Sequence, residues 1–233
     1  MISSKDNTHL FLLLQMADSA FPVGGFAYSY GLESAVKHNL ISDGKGLREY
    51  LLTFSEQLIA FDFPFIAAAH QQSITSINIA DLKSLLQVYK SMLLNPPLSK
   101  AGCVMGRNWL KICKQITNSY LMDETEEVFR KENLTFEFPI VFGLSMQASN
   151  FTLSQTLFLY FYMSIRDQIS ALIRLGSAGP SMAHTELQQV LHLFTIRIES
   201  YIPVHYSTAY KSAYLLELAQ LSHDRVYSKL FQN

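Results

Sequence analysis

The sequence predicts an all-α, single-domain helical bundle of roughly nine or ten helices over residues 1–233. Three observations predict it. Apolar residues recur at three-to-four spacing along most of the chain, and residues that cap helices stand ahead of several of these runs. Short alternating runs such as "LTFEF" lack a hairpin partner with Asn-Gly or Asp-Gly turn chemistry. The length suits one large domain with a real core, and no repeat, low-complexity tract or linker divides it.

The elements follow in order. Leu10 to Leu14 predicts a first helix; the run is too short for a secretory h-region, and Asp6 and Gln15 flank it. Next comes "SAFPVGGFAYSYGLES", residues 19–34. Pro22 fixes φ, while Gly24 and Gly25 open backbone angles closed to other residues, so the chain can turn sharply. Two readings stand: a packed helix-entry turn with Phe21, Phe26 and Tyr28 at least partly buried, or an exposed recognition surface. Gly31 is expected in the first turns of the next helix. There it costs about 1 kcal/mol against Ala and implies close approach of another backbone.

Ser42 or Asp43 is placed to cap a helix carrying Leu47, Leu51, Phe54, Leu58 and Ile59. Asp62-Phe63-Pro64 is expected to end that helix and start another. Asn78 caps a run with Leu82, Leu85, Leu86 and Tyr89, which Asn95-Pro96-Pro97 stops. Leu98 to Thr117 follows, then the acidic "DETEEVFRKEN" as a solvated helix or loop. Thr152 with Gln155 forms a capping box before a long amphipathic helix whose apolar face includes Leu157, Tyr160, Phe161, Ile165, Ile169 and Leu172. Residues 176–180 break the chain. A helix from about Ser181 to Ser200 stops before Pro203, and a last one runs from Tyr206 to about Leu221.

Composition narrows the function classes. Hydrophobic residues make up 49% and charged residues 16%, against about 25% charged in an average chain. Either the core is large or a partner covers apolar surface. Net charge is −1 with no Lys/Arg run, which argues against nucleic acid. The uncharged stretch between Glu137 and Arg166 is interrupted by polar residues, so no membrane span of about 20 residues is expected and the location reads as cytoplasmic. Cys103 and Cys113 make neither a CxxC pair nor a disulfide framework; they read as small buried thiols in a reducing compartment.

Chemistry-bearing motifs are missing. Gly44-Lys45-Gly46 is not a P-loop, and HExxH, GxSxG and GxGxxG do not occur. None of the seven histidines pairs with another His or Cys at i+3 or i+4, and His184 and His192 lie roughly 12 Å apart by helical rise. Arg166, Asp167 and Arg174 read as charge pairing within the bundle or as interface arginines. The chain is therefore expected not to be an enzyme but an adaptor working through surfaces. The alternative is an all-α enzyme whose active site is assembled from distant His and acidic residues. A ligand-sensing regulator is disfavoured, because no helix-turn-helix with a basic recognition helix occurs.

"LLQMADSAFPVGGFAYSYGLESAV" resembles the signature of the urease accessory protein UreF family. Ser19, Phe21, Pro22, Val23, Gly24, Gly25, Phe26, Tyr28, Ser29, Gly31, Leu32 and Glu33 hold most of that pattern; Ala20 and Ala27 depart from it. "LSKAGCVMGRNWL", with Met105, Gly106 and Arg107, is similar to the family's Met-Gly-Arg segment. "FPIVFGLSM", "SALIRLGSAG" and the ending "LSHDRVYSKLF" continue the likeness; Asp224, Lys229 and Gly176-Ser177 depart from it.

The resemblance implies an all-α, often dimeric accessory protein without catalysis of its own. It would join a UreD-type protein (UreH in some organisms), recruit the GTPase UreG, and act on apo-urease. Nickel would be handled by the complex, with no cofactor held tightly by this chain. Expected partner-contact residues are Pro22, Gly24, Gly25, Phe26 and Tyr28 in the turn, and His223, Tyr227, Leu230 and Phe231 in the tail, which docks either on its own chain or in a UreD-type groove. Gly106 and Arg107 are expected to form a UreG surface, on the view that glycine has no folding benefit within a helix. No metal ligand set is expected, His223 being the sole position weighed for nickel.

Overall fold

The computed structural model describes residues 4–41, 44–72 and 78–232. It is an all-α bundle, and no strand occurs among the described residues. Its helices are α1 (Ser4–Met16), α2 (Leu32–Lys37), α3 (Gly44–Gln57), α4 (Phe63–His70), α5 (Ile79–Ser91), α6 (Pro96–Thr117), α7 (Tyr120–Lys131), α8 (Phe138–Ala148), α9 (Leu153–Arg174), α10 (Pro180–Glu199) and α11 (Tyr214–Leu221). The expected caps Ser42 and Asp43 lie outside the described residues.

Local chemistry sets most boundaries. The Asn78 side chain accepts from the backbone N–H groups of Ala80 and Asp81 and starts α5. Asn95 does the same for Leu98, with Pro96 and Pro97 in the first turn of α6, where their missing N–H groups are not needed. Thr152 and Gln155 form the reciprocal capping box of α9.

Two boundaries differ from the sequence reading. Asp62-Phe63-Pro64 does not break the chain: α3 runs through a π turn, Leu58–Asp62, directly into α4. The wider turn absorbs Pro64, and burial of Phe63, Phe65 and Ile66 holds the joint. The continuous helix Lys45–His70 has the length and apolarity of a membrane span, and 72% of its apolar window is buried inside the protein. Core packing accounts for that apolarity, which the sequence reading passed over. The last predicted helix is also shorter. Tyr206–Thr208 is a single 3₁₀ turn and 209–213 is extended, so α11 begins only at Tyr214. The extended segment is tied down instead by Tyr210 N–H to the Ala60 carbonyl and by Ser212 and Ala213 N–H to Gln57 Oε1.

The core sits around α8, whose residues are all buried apart from partly exposed Gln147. It lies between α4 and α6. Trp109 of α6, fully buried, meets Phe138 and Phe142 of α8 and Phe21 of the turn as ring contacts. α9 packs on α10 and meets α2, α3 and α4 on other faces. Cys113 is wholly buried, and burial pushes its thiol up. Cys103 is half-buried; burial first and then Glu137 push its thiol up to about 12, which leaves it a poor nucleophile.

Candidate docking face

The segment 19–34 folds as the turn its proline and glycines predict. Gly24 takes φ +99° and leads into a 3₁₀ turn, Gly25–Ala27. Phe21 and Tyr28 are half-buried as expected. Phe26 is 59% exposed, which corrects the expectation of its burial: the turn projects its ring outward while Val23 and Gly25 face inward. Below the turn, Asn108 Nδ2 donates to the Val23 carbonyl at 3.1 Å, and Tyr30 Oη reaches Met105 Sδ at 3.0 Å.

Gly31 lies one position ahead of α2, as its N-cap with φ +92°, rather than inside the helix. Close approach of another backbone is nonetheless its role: a Cβ there would stand 2.8 Å from Gln220 Cγ and 3.0 Å from Gln220 N. Gln220 Nε2 in turn donates to the Tyr30 carbonyl at 3.2 Å, so α11 is pressed onto the start of α2.

The chain's end meets this turn. Gln232 N–H donates to the Ala27 carbonyl at 2.8 Å. Arg174, at the end of α9, donates to the Phe26 carbonyl and lies between two rings, 3.7 Å from the Phe26 centroid and 4.2 Å from that of Phe231. Phe231 is buried, whereas Tyr227 is fully exposed and Leu230 is half exposed. The tail therefore docks on its own chain through Phe231, while Phe26, Tyr227 and Leu230 remain open to a second molecule. Arg166 pairs with Asp167 and donates to the Ala17 carbonyl, so it serves the bundle; Arg174 joins the turn to the tail.

One buried carboxylate organises the junction. Glu33 of α2 has no solvent exposure. Its oxygens accept from Leu230 N–H at 2.6 Å and Phe231 N–H at 3.1 Å, and His223 Nε2 lies 2.9 Å away. His223 is itself 1% exposed, which corrects its assignment to a partner surface. It supports Glu33 instead. No group of three or more His, Cys, Asp or Glu suited to a metal occurs among the described residues.

Gly106 and Arg107 belong to a different face. Met105 and Asn108 point at the turn, but Gly106 packs on the Phe136 backbone, where a Cβ would fall 1.9 Å from the carbonyl oxygen. Glycine is thus required here by folding, contrary to the expectation. Arg107 is exposed and lies 5.8 Å from the Phe136 ring. Sequence reasoning missed Glu33 because its local signal points elsewhere: Lys37 stands at i+4, the spacing of a surface ion pair.

A cavity of about 480 Å³ lies directly behind the turn, lined by residues 19–26 and Tyr30 and, beyond them, by the π turn, α6, α9 and residues of the 211–220 segment. Asp62, Glu137, Asp167 and Glu217 line it with Tyr89, Tyr160 and Lys211. Burial pushes the Asp62 carboxyl up to about 7, against the lowering effects of Lys211 and of the Tyr89 and Tyr160 hydroxyls. Lys211 is paired with Glu217 at 3.0 Å.

The apolar residues are divided between a large core and the surface. Besides the core, Tyr214, Leu215 and Leu218 of α11 and Ile196 of α10 are mostly exposed.

A family model for UreF matches residues 41–191. Urease accessory protein F of Oryza sativa subsp. indica is 27% identical over 231 residues, covering 98% of this chain and 87% of its own length. Urease accessory protein F of Arabidopsis thaliana is 25% identical over 219 residues, covering 93% and 90%. Urease accessory protein UreF 1 of Brucella melitensis is 32% identical over 143 residues, covering 60% and 57%. An all-α chain that carries the signature turn, clamps its own tail against it and matches this model over most of its length belongs to the UreF family of urease accessory proteins.

Proposed function

We propose that this chain is a urease maturation adaptor without catalysis of its own. It bridges a UreD/UreH-type accessory protein and a UreG-type GTPase so that nickel is loaded into apo-urease, with nucleotide chemistry in the GTPase. The observation that carries this reading is the meeting of turn and tail at Arg174, with Phe26, Tyr227 and Leu230 exposed on the two segments, in a chain of this family. That face takes the UreD-type partner. Arg107, exposed on the opposite side of α6 from Met105 and Asn108, contributes to the GTPase surface. The exposed apolar side chains of α11 support a homodimer. The chain holds no cofactor tightly, works in the cytoplasm and touches neither nucleic acid nor membrane; nickel is cargo of the complex.

The test is co-expression with a urease operon lacking this gene. Restored nickel content of urease is expected, lost again with Tyr227→Ala/Leu230→Ala. Arg107→Ala should abolish GTPase recruitment on size exclusion while sparing the UreD-type contact. Equal nickel content with and without the gene would defeat the proposal.

The enzyme reading has one observation in its favour, the raised Asp62 carboxyl in a cavity. Against it, no histidine lines that cavity among the described residues, the Cys103 thiol is pushed up rather than activated, and Lys211 is occupied by Glu217.

A further inference from the structure

Glu33 is an unusual tail anchor. It sits on a six-residue helix, wholly buried, and its carboxylate takes two consecutive backbone N–H groups from a segment about 200 positions later in the chain. From 226 to 232 the chain forms no helix or strand that would satisfy those N–H groups internally. Leu230, which gives one of them, has its side chain half exposed, so apolar burial contributes little to fixing that residue. Val226 and Phe231 are the side chains turned inward, Phe231 against Arg174. Direction and register of the tail are therefore set by two oxygen atoms that lie within the signature segment itself.

We infer that Glu33 is a positioning residue for the docking face: it clamps residues 230–231 so that Tyr227, Leu230 and Phe26 are presented together, and the face exists only while the clamp is closed. This rests on the reading of that face as the UreD-type contact. Three features support a clamp over a mere core hydrogen bond. Both acceptor oxygens are used by the tail. His223, at the base of the tail, holds the same carboxylate through Nε2, while its Nδ1 has no partner. The next residue, Gln232, closes the loop onto Ala27 of the turn. Loss of the clamp thus frees a contiguous stretch and leaves the α4–α6–α8 core intact.

The experiment uses Glu33→Gln, which keeps one acceptor oxygen, in the full chain. Amide hydrogen exchange of Leu230, Phe231 and Gln232 should quicken by about tenfold or more, the effect of losing one strong hydrogen bond, with protection of α8 amides unchanged. Affinity for the purified UreD-type protein should fall. The effect should also be non-additive with Tyr227→Ala: the double variant binds no more weakly than Glu33→Gln alone, which a purely structural defect would not produce. If Glu33→Gln does not fold, Leu230→Pro deletes the same N–H donor and should quicken exchange at Phe231 and Gln232 in the same way; because it also removes a side chain of the face, exchange alone is its readout. Unaltered exchange at Phe231 and Gln232 in the folded variants overturns the clamp. Quickened exchange with unchanged partner affinity leaves the clamp standing and removes the UreD-type reading of the face.

Discussion

Two carboxyl groups, wholly buried Glu33 and partly exposed Asp62, mark two regions of the molecule with opposite chemistry. Glu33, at the turn–tail junction, is surrounded by donors: two backbone N–H groups and an imidazole nitrogen. Asp62, on the π turn, has a long contact from the Tyr89 hydroxyl at 3.4 Å and faces a cavity. A buried carboxyl with converging donors fixes the position of whatever carries them. One whose donors, here the Tyr89 and Tyr160 hydroxyls and nearby Lys211, are outweighed by burial holds its proton to higher pH, and its region gains adaptability rather than register. The first region is thus where the fold specifies a surface, and the second is where it tolerates a poorly matched charge.

The largest effect that tests this contrast is Glu33→Ala. It leaves two N–H groups and His223 facing an apolar methyl, and should cost about 3 kcal/mol in denaturant unfolding. A loss under about 1 kcal/mol would mean that water replaces the carboxylate and that the junction is not sealed.

Asp62→Asn should act with the opposite sign. The native state keeps the Asp62 proton up to about pH 7, whereas the unfolded chain releases it near 3.8. Between these values the native state binds more protons, so this group makes stability fall as pH rises, with no further loss above about 7. The variant should therefore gain on the wild type progressively through that window, most at its upper end. Parallel stability curves from pH 4 to 8 would show that Asp62 is solvated and the contrast with Glu33 false.

Tyr227→Ala should have the smallest effect on stability, within about 0.5 kcal/mol, because the side chain is fully exposed. Its effect belongs to binding: capture of the UreD-type protein should weaken. Substantial destabilisation instead would place the ring in an intramolecular contact and dissolve the docking face.

Particular residues show where sequence reasoning reached and where it stopped. Asn78 and the Thr152–Gln155 box are legible, because a cap acts on N–H groups two or three positions away, whereas Asn95 reads from sequence as the stop of α5 and only the structure shows it capping α6. The turn at Gly24 and the close approach at Gly31 were legible from backbone sterics, though Gly31 proved to be a cap. The tail's Tyr227, Leu230 and Phe231 read alike in the sequence, and only their neighbours separate them: Phe231 is buried against Arg174, while Tyr227 and Leu230 stay open. His223 looked like a surface ligand and is a buried support for Glu33; its partner lies 190 positions earlier. Gly106 looked dispensable to folding until the Phe136 carbonyl was found against it.

By itself the sequence determined most of the helices, though not α8, together with the caps of α5 and α9, the sharp turn and the family pattern, since each depends on neighbours within a few residues and on hydrophobic period. Only the tertiary structure decided which aromatic faces outward, which histidine is buried, and that Ala27 and Glu33 near the start of the chain receive its last residues. Those outcomes depend on donors, rings and carbonyls that meet across α2, α9 and the tail, and no local periodicity encodes such meetings.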